Sequence, residues 1–495
     1  MEDRFNLIDE PWIPVVDVGR VSLRDVFDTP EYRALGGTPL QKIALTKFLL
    51  ALAQAAATPD DTLQWHAWGW QGMSRRVLEY LEQWHHAFYL FGERPFLQMP
   101  AIAAAEAKPF GAVMPDVATG NTTVLTQSQA AKPLHDADKA VLLITLMGCA
   151  LGGKKADNRV VLSPGYQGKY NDKGNPSTGK PGPTIAHMGL LHSFCLGDSL
   201  MKSVWLNVFS HADIAHLTMF PKGLGAPPWE RMPDGEACPV ALELKQSLVG
   251  RLIPLCRFCL FCEGGIHYSE GIAHDNYNNG VFDPSITTNL SGKKIKVFWA
   301  NPEKRPWREL TSLLSFIGQQ GGNSNDCIQL RLALGKAARC HEPMAIWSGG
   351  LRVSSKAGEQ FVSGSDDCVE SLLWLLPEQL GETWFTIFQQ EMSALDAVGK
   401  SLYGAVLGYF KALLVDNEKT AAQATNLFWQ LCERDAQRLI MQCDQQDARY
   451  ELRRTFARYA VQAFDRFCPN QTARQMDAWA KAKPSLGTYL KKEEA

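Results

Sequence analysis

The chain has 495 residues, 45% of them hydrophobic, with 14 Trp and 23 Phe; that is ample for two or three domains with sizeable cores and excludes a disordered scaffold. Its formal net charge is −2, so no global field attracts a polyanion and any nucleic-acid surface has to be a local patch. The opening MEDRFNLIDEPWIPV lacks a charged-then-apolar leader pattern, the longest apolar runs (140–151, for example) are too short for a bilayer, and the twelve cysteines then read as reduced thiols, so a cytoplasmic protein with no membrane partner is expected.

In chain order, 8–16 alternates around Pro11 and Pro14 and predicts a short strand pairing with 20–23. Thr38 caps and Pro39 starts a helix through Ile43, Phe48 and Leu52, and Ser74 is read as the cap of another with Val77, Leu81 and Phe88 inward. A buried helix is predicted over 139–151, and 186–209 reads as helical and then strand-like. Short β-type runs dominate 248–350, including 294–299 and 344–347, and 348–361 reads as a hairpin with its tip near 354–358. After Pro377 the periodicity turns helical over 383–414, 418–443, 447–467 and 471–490, which argues an antiparallel four-helix bundle. The fold class is therefore α+β, a mixed domain over 1–377 with small sheets and long loops, followed by a bundle over 378–495.

Between the helix at 139–151 and the next apolar run lies a long segment, 151–184, rich in Gly and Pro and net basic. Structureless loops of this length inside a domain are uncommon and usually functional or disordered. Lys154, Lys155 and Lys169 would neutralise a phosphate backbone, Gly165 and Gly168 would let the main chain approach it closely, and Tyr166 and Gln167 add a ring face and an amide. A basic surface linker is the bland alternative. Two more segments suit duplex contact. Asn121, Thr122, Thr123, Val124, Leu125, Thr126 and Gln127 form a polar loop able to donate and accept at base edges. The hairpin with Gly349, Gly350, Arg352, Ser354, Ser355 and Lys356 is narrow enough to wedge into a groove. Lys293, Lys294 and Lys296 make a basic patch that a solvated sheet edge explains equally well.

Cys256, Cys259 and Cys262, followed by His267 and His274, invite a zinc reading, and with it a zinc-dependent hydrolase as the alternative function. The spacing carries no glycine knuckle, and buried strand thiols are the preferred reading, leaving no cofactor. His192 and Cys195, and the pair His211 and His216, lack a spacing that specifies a site, and no phosphate loop, dinucleotide turn or nucleophile elbow occurs.

Taken in order, these segments resemble the CasA family, the large subunit of the type I-E CRISPR Cascade surveillance complex. The resemblance begins at Leu7-Ile-Asp-Glu-Pro-Trp-Ile-Pro-Val15 and continues at Phe88-Tyr-Leu-Phe-Gly-Glu-Arg-Pro-Phe-Leu-Gln98. Asn121 to Gln127 then falls where the family has its loop for the protospacer-adjacent motif. Ser163 to Tyr170 is similar to its glycine loop, and Gly349-Gly-Leu-Arg352 to the stem of its wedge hairpin. The resemblance implies a non-catalytic subunit partnered by guide RNA, the other Cascade subunits and double-stranded target DNA. Such a subunit reads the short motif, helps open the duplex and recruits the system's helicase–nuclease, while base pairing supplies sequence specificity. The large subunit of another ribonucleoprotein effector stays open as a further alternative. Two departures stand out: the wedge tip reads Val353-Ser-Ser-Lys-Ala-Gly358 where the family has glutamine, and His135-Asp-Ala-Asp-Lys139 occupies the place of a zinc-binding Cys-x-x-Cys found in some members.

Overall fold

A computed structural model describes residues 2–115, 133–149, 151, 189–275, 277–318, 325–341, 343–356, 359–361 and 367–491. The chain divides into two compact units, Met1–Pro302 with Asn325–Ser371, and Glu303–Ser324 with Leu372–Ala495.

The first unit is built around one helix. Helix α2 (Pro39–Ala57) follows the short α1 (Leu23–Asp28) and starts at a capping box, with the Thr38 hydroxyl accepting from the Gln41 amide while the Gln41 side chain accepts from the Thr38 amide. Thirteen of its nineteen residues are buried, so it is apolar around most of its circumference, as a central helix must be. By length and hydropathy it would also pass for a membrane span, but 72% of its most apolar window is buried inside the fold. Around it gather Trp12, Phe88, Phe96 and Trp229, with Phe48 at 5.8–6.0 Å from three of these rings. A buried ion pair sits in this core. Lys47 is 3% exposed and pairs with Asp283, whose other oxygen accepts from the Ser285 amide at 3.0 Å and hydroxyl at 2.7 Å. Both members of the pair therefore have partners, the condition on which a buried charge is tolerated.

Small sheets line this core. Strand β1 (Arg4–Asn6) pairs with β4 (Tyr89–Phe91), and β2 (Ile13–Val15) with β3 (Gly19–Val21). Strand β5 (Ala107–Lys108) adds to the β7–β8 hairpin (Arg257–Cys262 and Gly265–Glu270). Strand β12 (Met344–Leu351), buried along its whole length, lies between β6 (His192–Leu196) and β15 (Cys368–Leu375). Strand β9 (Thr288–Asn289) is flanked by β10 (Lys296–Val297) and β11 (Asn325–Asp326), and β13 (Ser354–Lys356) pairs with β14 (Glu359–Phe361).

Several boundaries differ from the sequence reading. Residues 7–9 form a turn and residue 10 a bend, so the strand expected from residue 8 starts only at Ile13, pairing with Gly19–Val21. Helix α3 (Thr62–Gln83) is capped by Asp61, not Ser74. Gly69 interrupts it at φ 59°, and Ser74 lies inside it, donating its hydroxyl to the Phe27 carbonyl. Helix α4 (Asp136–Gly148) begins three residues earlier than expected, on Asp136 and Asp138 in its first turn, where acidic side chains favour the helix dipole. The order over 186–209 is reversed, strand β6 preceding helix α5 (Leu200–Asn207). Helix α6 (Ile328–Cys340) occupies a stretch read as β-type.

The second unit is helical. Its long helix α7 (Glu382–Ala412) packs against α8 (Glu418–Glu433), α10 (Gln446–Phe467) and α11 (Ala473–Ala482). The expected helix over 418–443 is broken at Arg434 and Asp435, and the short α9 (Ala436–Gln442) follows. Trp384 and Phe388 stack at 5.2 Å, and the buried Glu391 receives a two-nitrogen grip from Arg453.

Candidate nucleic-acid interface

The hairpin expected over 348–361 resolves into two parts. Gly349 and Gly350 belong to the buried strand β12, where Gly349 pairs with His192 and Ser348 with Ser193. Only 354–361 forms the hairpin itself, with Ser354 opposite Phe361, Ser355 opposite Gln360 and Lys356 opposite Glu359. The stem glycines are demanded by packing. A Cβ on Gly350 would lie 2.6 Å from the Leu190 carbonyl oxygen and 2.9 Å from the Ala300 Cβ; one on Gly349 would lie 2.6 Å from the Trp347 indole. Arg352 joins the two parts. Its amide donates to the Asp367 carbonyl at 2.8 Å and its guanidinium to the Asp367 carboxylate, which is 3% exposed. Arg352 thus clamps the base of the hairpin to the start of β15.

Beneath this clamp, Leu351 joins Leu40, Cys149 and Leu151 in a small buried cluster, with Val353 and Cys368 packed on it. Leu151 is the last described residue before the glycine-rich segment. Its carbonyl accepts from Arg257, which is 1% exposed and also donates to the Tyr268 hydroxyl at 2.8 Å and the Cys256 carbonyl at 2.9 Å. Gly189, the first described residue beyond the segment, lies at the same place. Gly189, at φ +81°, sits where a Cβ would be 3.2 Å from the Trp299 ring and 3.3 Å from Val353. Its carbonyl accepts from the Ala300 amide at 2.8 Å, and the Leu191 amide donates to Phe298 at 2.9 Å. Both roots of the glycine-rich segment therefore abut the stem of the hairpin.

The basic patch shares this root, because Phe298, Trp299 and Ala300 directly continue β10. Lys293, Lys294 and Lys296 are exposed on the turn and strand of the β9–β10 hairpin, and none of the three has an ion pair among the described residues. The described ends of the glycine-rich segment, the stem of the hairpin and the basic patch thus share one base. Asn121, Thr122, Thr123, Val124, Leu125, Thr126 and Gln127, and Lys154, Lys155, Gly165, Tyr166, Gln167, Gly168 and Lys169, lie outside the described residues, as do the side chains of Ser355 and Lys356. The roots of the first loop, Pro115 and Pro133, line a cavity of about 580 Å³ with Arg20, Gln41, Asp138 and Thr145. Helix α4 runs between Pro133 and Leu151, and its thirteen residues are about 20 Å long.

The cysteine cluster is built for packing. Cys259 and Cys262 occupy positions of opposite parity on β7, and Cys256 just precedes it. Burial pushes the Cys256 thiol up to about 11 and that of Cys259 to about 12. His267 and His274 turn to the carbonyls of Ala105 and Pro254, each at 2.7 Å, and no metal-holding group of His, Cys, Asp and Glu occurs among the described residues. His192 bonds the Ser285 hydroxyl at 2.8 Å, while Cys195 lies three residues along the strand, its thiol pushed by burial to about 12. Sequence reasoning passed over Arg257, Asp367 and Trp299. Only Trp299 left a signal, as an aromatic residue closing the basic run Lys293-Lys-Ile-Lys-Val-Phe-Trp299.

A family model described as CRISPR-associated protein Cse1 matches residues 6–465. A curated relative from Thermus thermophilus, the CRISPR-associated protein CasA/Cse1, is 34% identical over 134 residues; that stretch is 25% of this chain and about a quarter (26%) of the relative's length. A crystal structure of Thermus thermophilus CasA superposes with a TM-score of 0.73 at 18% identity, covering 99% of each chain. A chain of a CRISPR RNA-guided surveillance complex matches with a TM-score of 0.65 at 16% identity, covering 99% of this chain and 100% of that one.

Proposed function

This chain belongs to the CRISPR-associated Cse1 family, and from that premise we propose that it is the non-catalytic large subunit of a type I-E Cascade complex, working in the cytoplasm. In this reading it joins guide RNA and the other Cascade subunits, recognises the protospacer-adjacent motif in double-stranded target DNA, helps part the strands beside it and recruits the helicase–nuclease. Residues 1–377 act in DNA recognition, with Asn121 to Gln127 on the motif, the glycine loop on the backbone and the 354–361 hairpin as the wedge. Residues 378–495 act as a four-helix bundle. The observation that supports this most is the common base of the glycine-rich segment, the hairpin and the basic β9–β10 hairpin, since elements that must grip one short stretch of duplex have to rise from one place.

The lysines supply the test. Each phosphate contact releases counterions and contributes about 0.9 to the slope of log affinity against log salt. Changing Lys293, Lys294 and Lys296 together to alanine in the assembled complex should weaken target binding several-fold at low salt and flatten that slope by one to three units. Equal slopes for the variant and the parent, measured by titration from low to physiological salt, would reduce the β9–β10 hairpin to a solvated sheet edge.

A further inference from the structure

Trp299 is 48% exposed, whereas Trp12 and Trp65 are fully buried. Its backbone is fixed by an isolated β-bridge to Leu190, and its ring lies over Gly189, where the missing side chain leaves room for it. Tyr277 meets the ring edge-on at 6.4 Å and 81°. The indole is therefore held in place by these contacts while about half of the residue stays open to solvent. Its approach is cationic, with three lysines in the six residues before it and no acidic residue between them. It also stands at the foot of the hairpin, since Val353 lies against the same Gly189 and Ser354 begins β13.

We propose that Trp299 is a stacking surface for one unpaired nucleotide of the target DNA, a contact that forms only once the duplex beside the hairpin has opened. The inference rests on the reading of this region as a DNA interface. A base inside a duplex is already stacked on both sides and gains nothing from an indole. A base freed from its partner exposes a π-face, and aromatic stacking then holds it without regard to its identity. The neighbouring lysines suit the phosphates on either side of that nucleotide. The wedge and the platform thus complement each other, one separating the strands and the other retaining what is released.

The experiment uses the full chain in its assembled complex, with target duplexes carrying a single abasic nucleotide walked through the first positions of either strand beside the motif. In the parent, one position should weaken binding five- to tenfold. Trp299→Leu, which keeps an apolar contact with Gly189 but has no π-face, should bind intact DNA five- to tenfold less tightly, and the abasic site should then add nothing. Trp299→Phe should restore most of the difference. Abasic penalties that are the same in the parent and in Trp299→Leu would overturn the proposal. The Lys293, Lys294 and Lys296 triple variant separates the two failures. If it weakens binding and Trp299→Leu does not, the stacking contact alone falls; if both bind like the parent, the interface reading falls with it.

Discussion

Lys336 illustrates how a single residue can carry a measurable cost within a stable core. It is 3% exposed on α6, its ammonium donating to the Val208 carbonyl, 3.7 Å from the Asp213 carboxylate and 5.4 Å from the Trp65 ring centre. Burial disfavours the charged form and pushes the group down to about 8 from its ordinary 10.5; Arg339 adds to the shift and Asp213 opposes it. The sign follows from proton binding. Below about pH 8 both folded and unfolded chains hold the proton, and the burial penalty is fully present. Between about 8 and 10.5 the unfolded chain binds more protons than the folded one, so stability contributed by this site rises with pH. Chemical denaturation of the parent and of Lys336→Met across that window should give a stability difference that moves in the parent's favour by on the order of 1 kcal/mol per pH unit at most. Buried thiols and tyrosines titrate in both proteins and cancel in the difference. A flat difference would mean that the Asp213 and Val208 contacts compensate the burial in full.

At the scale of elements, helix α7 contains its own control. Gly404 is exposed and a Cβ there meets nothing within 4 Å, whereas one on Gly399 would lie 3.2 Å from the Trp429 indole. That indole cannot easily give way, because Arg308 lies over its ring at 3.7 Å and Trp307 meets it at 5.9 Å. Gly404→Ala should therefore stabilise the protein by about 0.5–1 kcal/mol, the helix propensity gain, and Gly399→Ala should gain less or lose. Equal shifts in denaturation midpoint would show that Trp429 is free to move. The same local physics decides what could be read from sequence. Helix α2 was legible because Thr38, Pro39 and Gln41 spell a start in adjacent residues. The start of α3 was not, since Gly69 does break the helical path, so that the turns before it are separated from those after it, and Gly72 looks like a second break but is not one. Strand β6 and helix α5 exchanged places in the reading because short apolar runs have no decisive period. At the candidate interface, the glycines of the hairpin stem were visible, but their reason was not. It lies in the Leu190 carbonyl and the Ala300 side chain, which only the tertiary fold brings beneath β12.

For the molecule as a whole, the telling segment is Glu303–Ser324, which lies in sequence between strands of the first unit and belongs by its contacts to the second. Its anchor is Trp307, 2% exposed against Trp429, with Arg308 stacked on the same indole and 3.8 Å from Asp396. Helical periodicity alone cannot recruit such a segment, because a boundary read from a change of period is a single cut and the division into units takes three. The consequence is thermodynamic. Removing a buried Trp side chain costs about 3–5 kcal/mol in lost burial and cavity formation. If the two units unfold separately, Trp307→Ala should lower the transition of the C-terminal helices and leave that of the N-terminal unit nearly unchanged. Hydrogen exchange resolved by peptide distinguishes the cases. Faster exchange confined to α7, α8 and α10 supports the division, while equal acceleration through α2 and β12 would mean that the chain unfolds as one body and that the segment at 303–324 is shared structure rather than part of the helical unit.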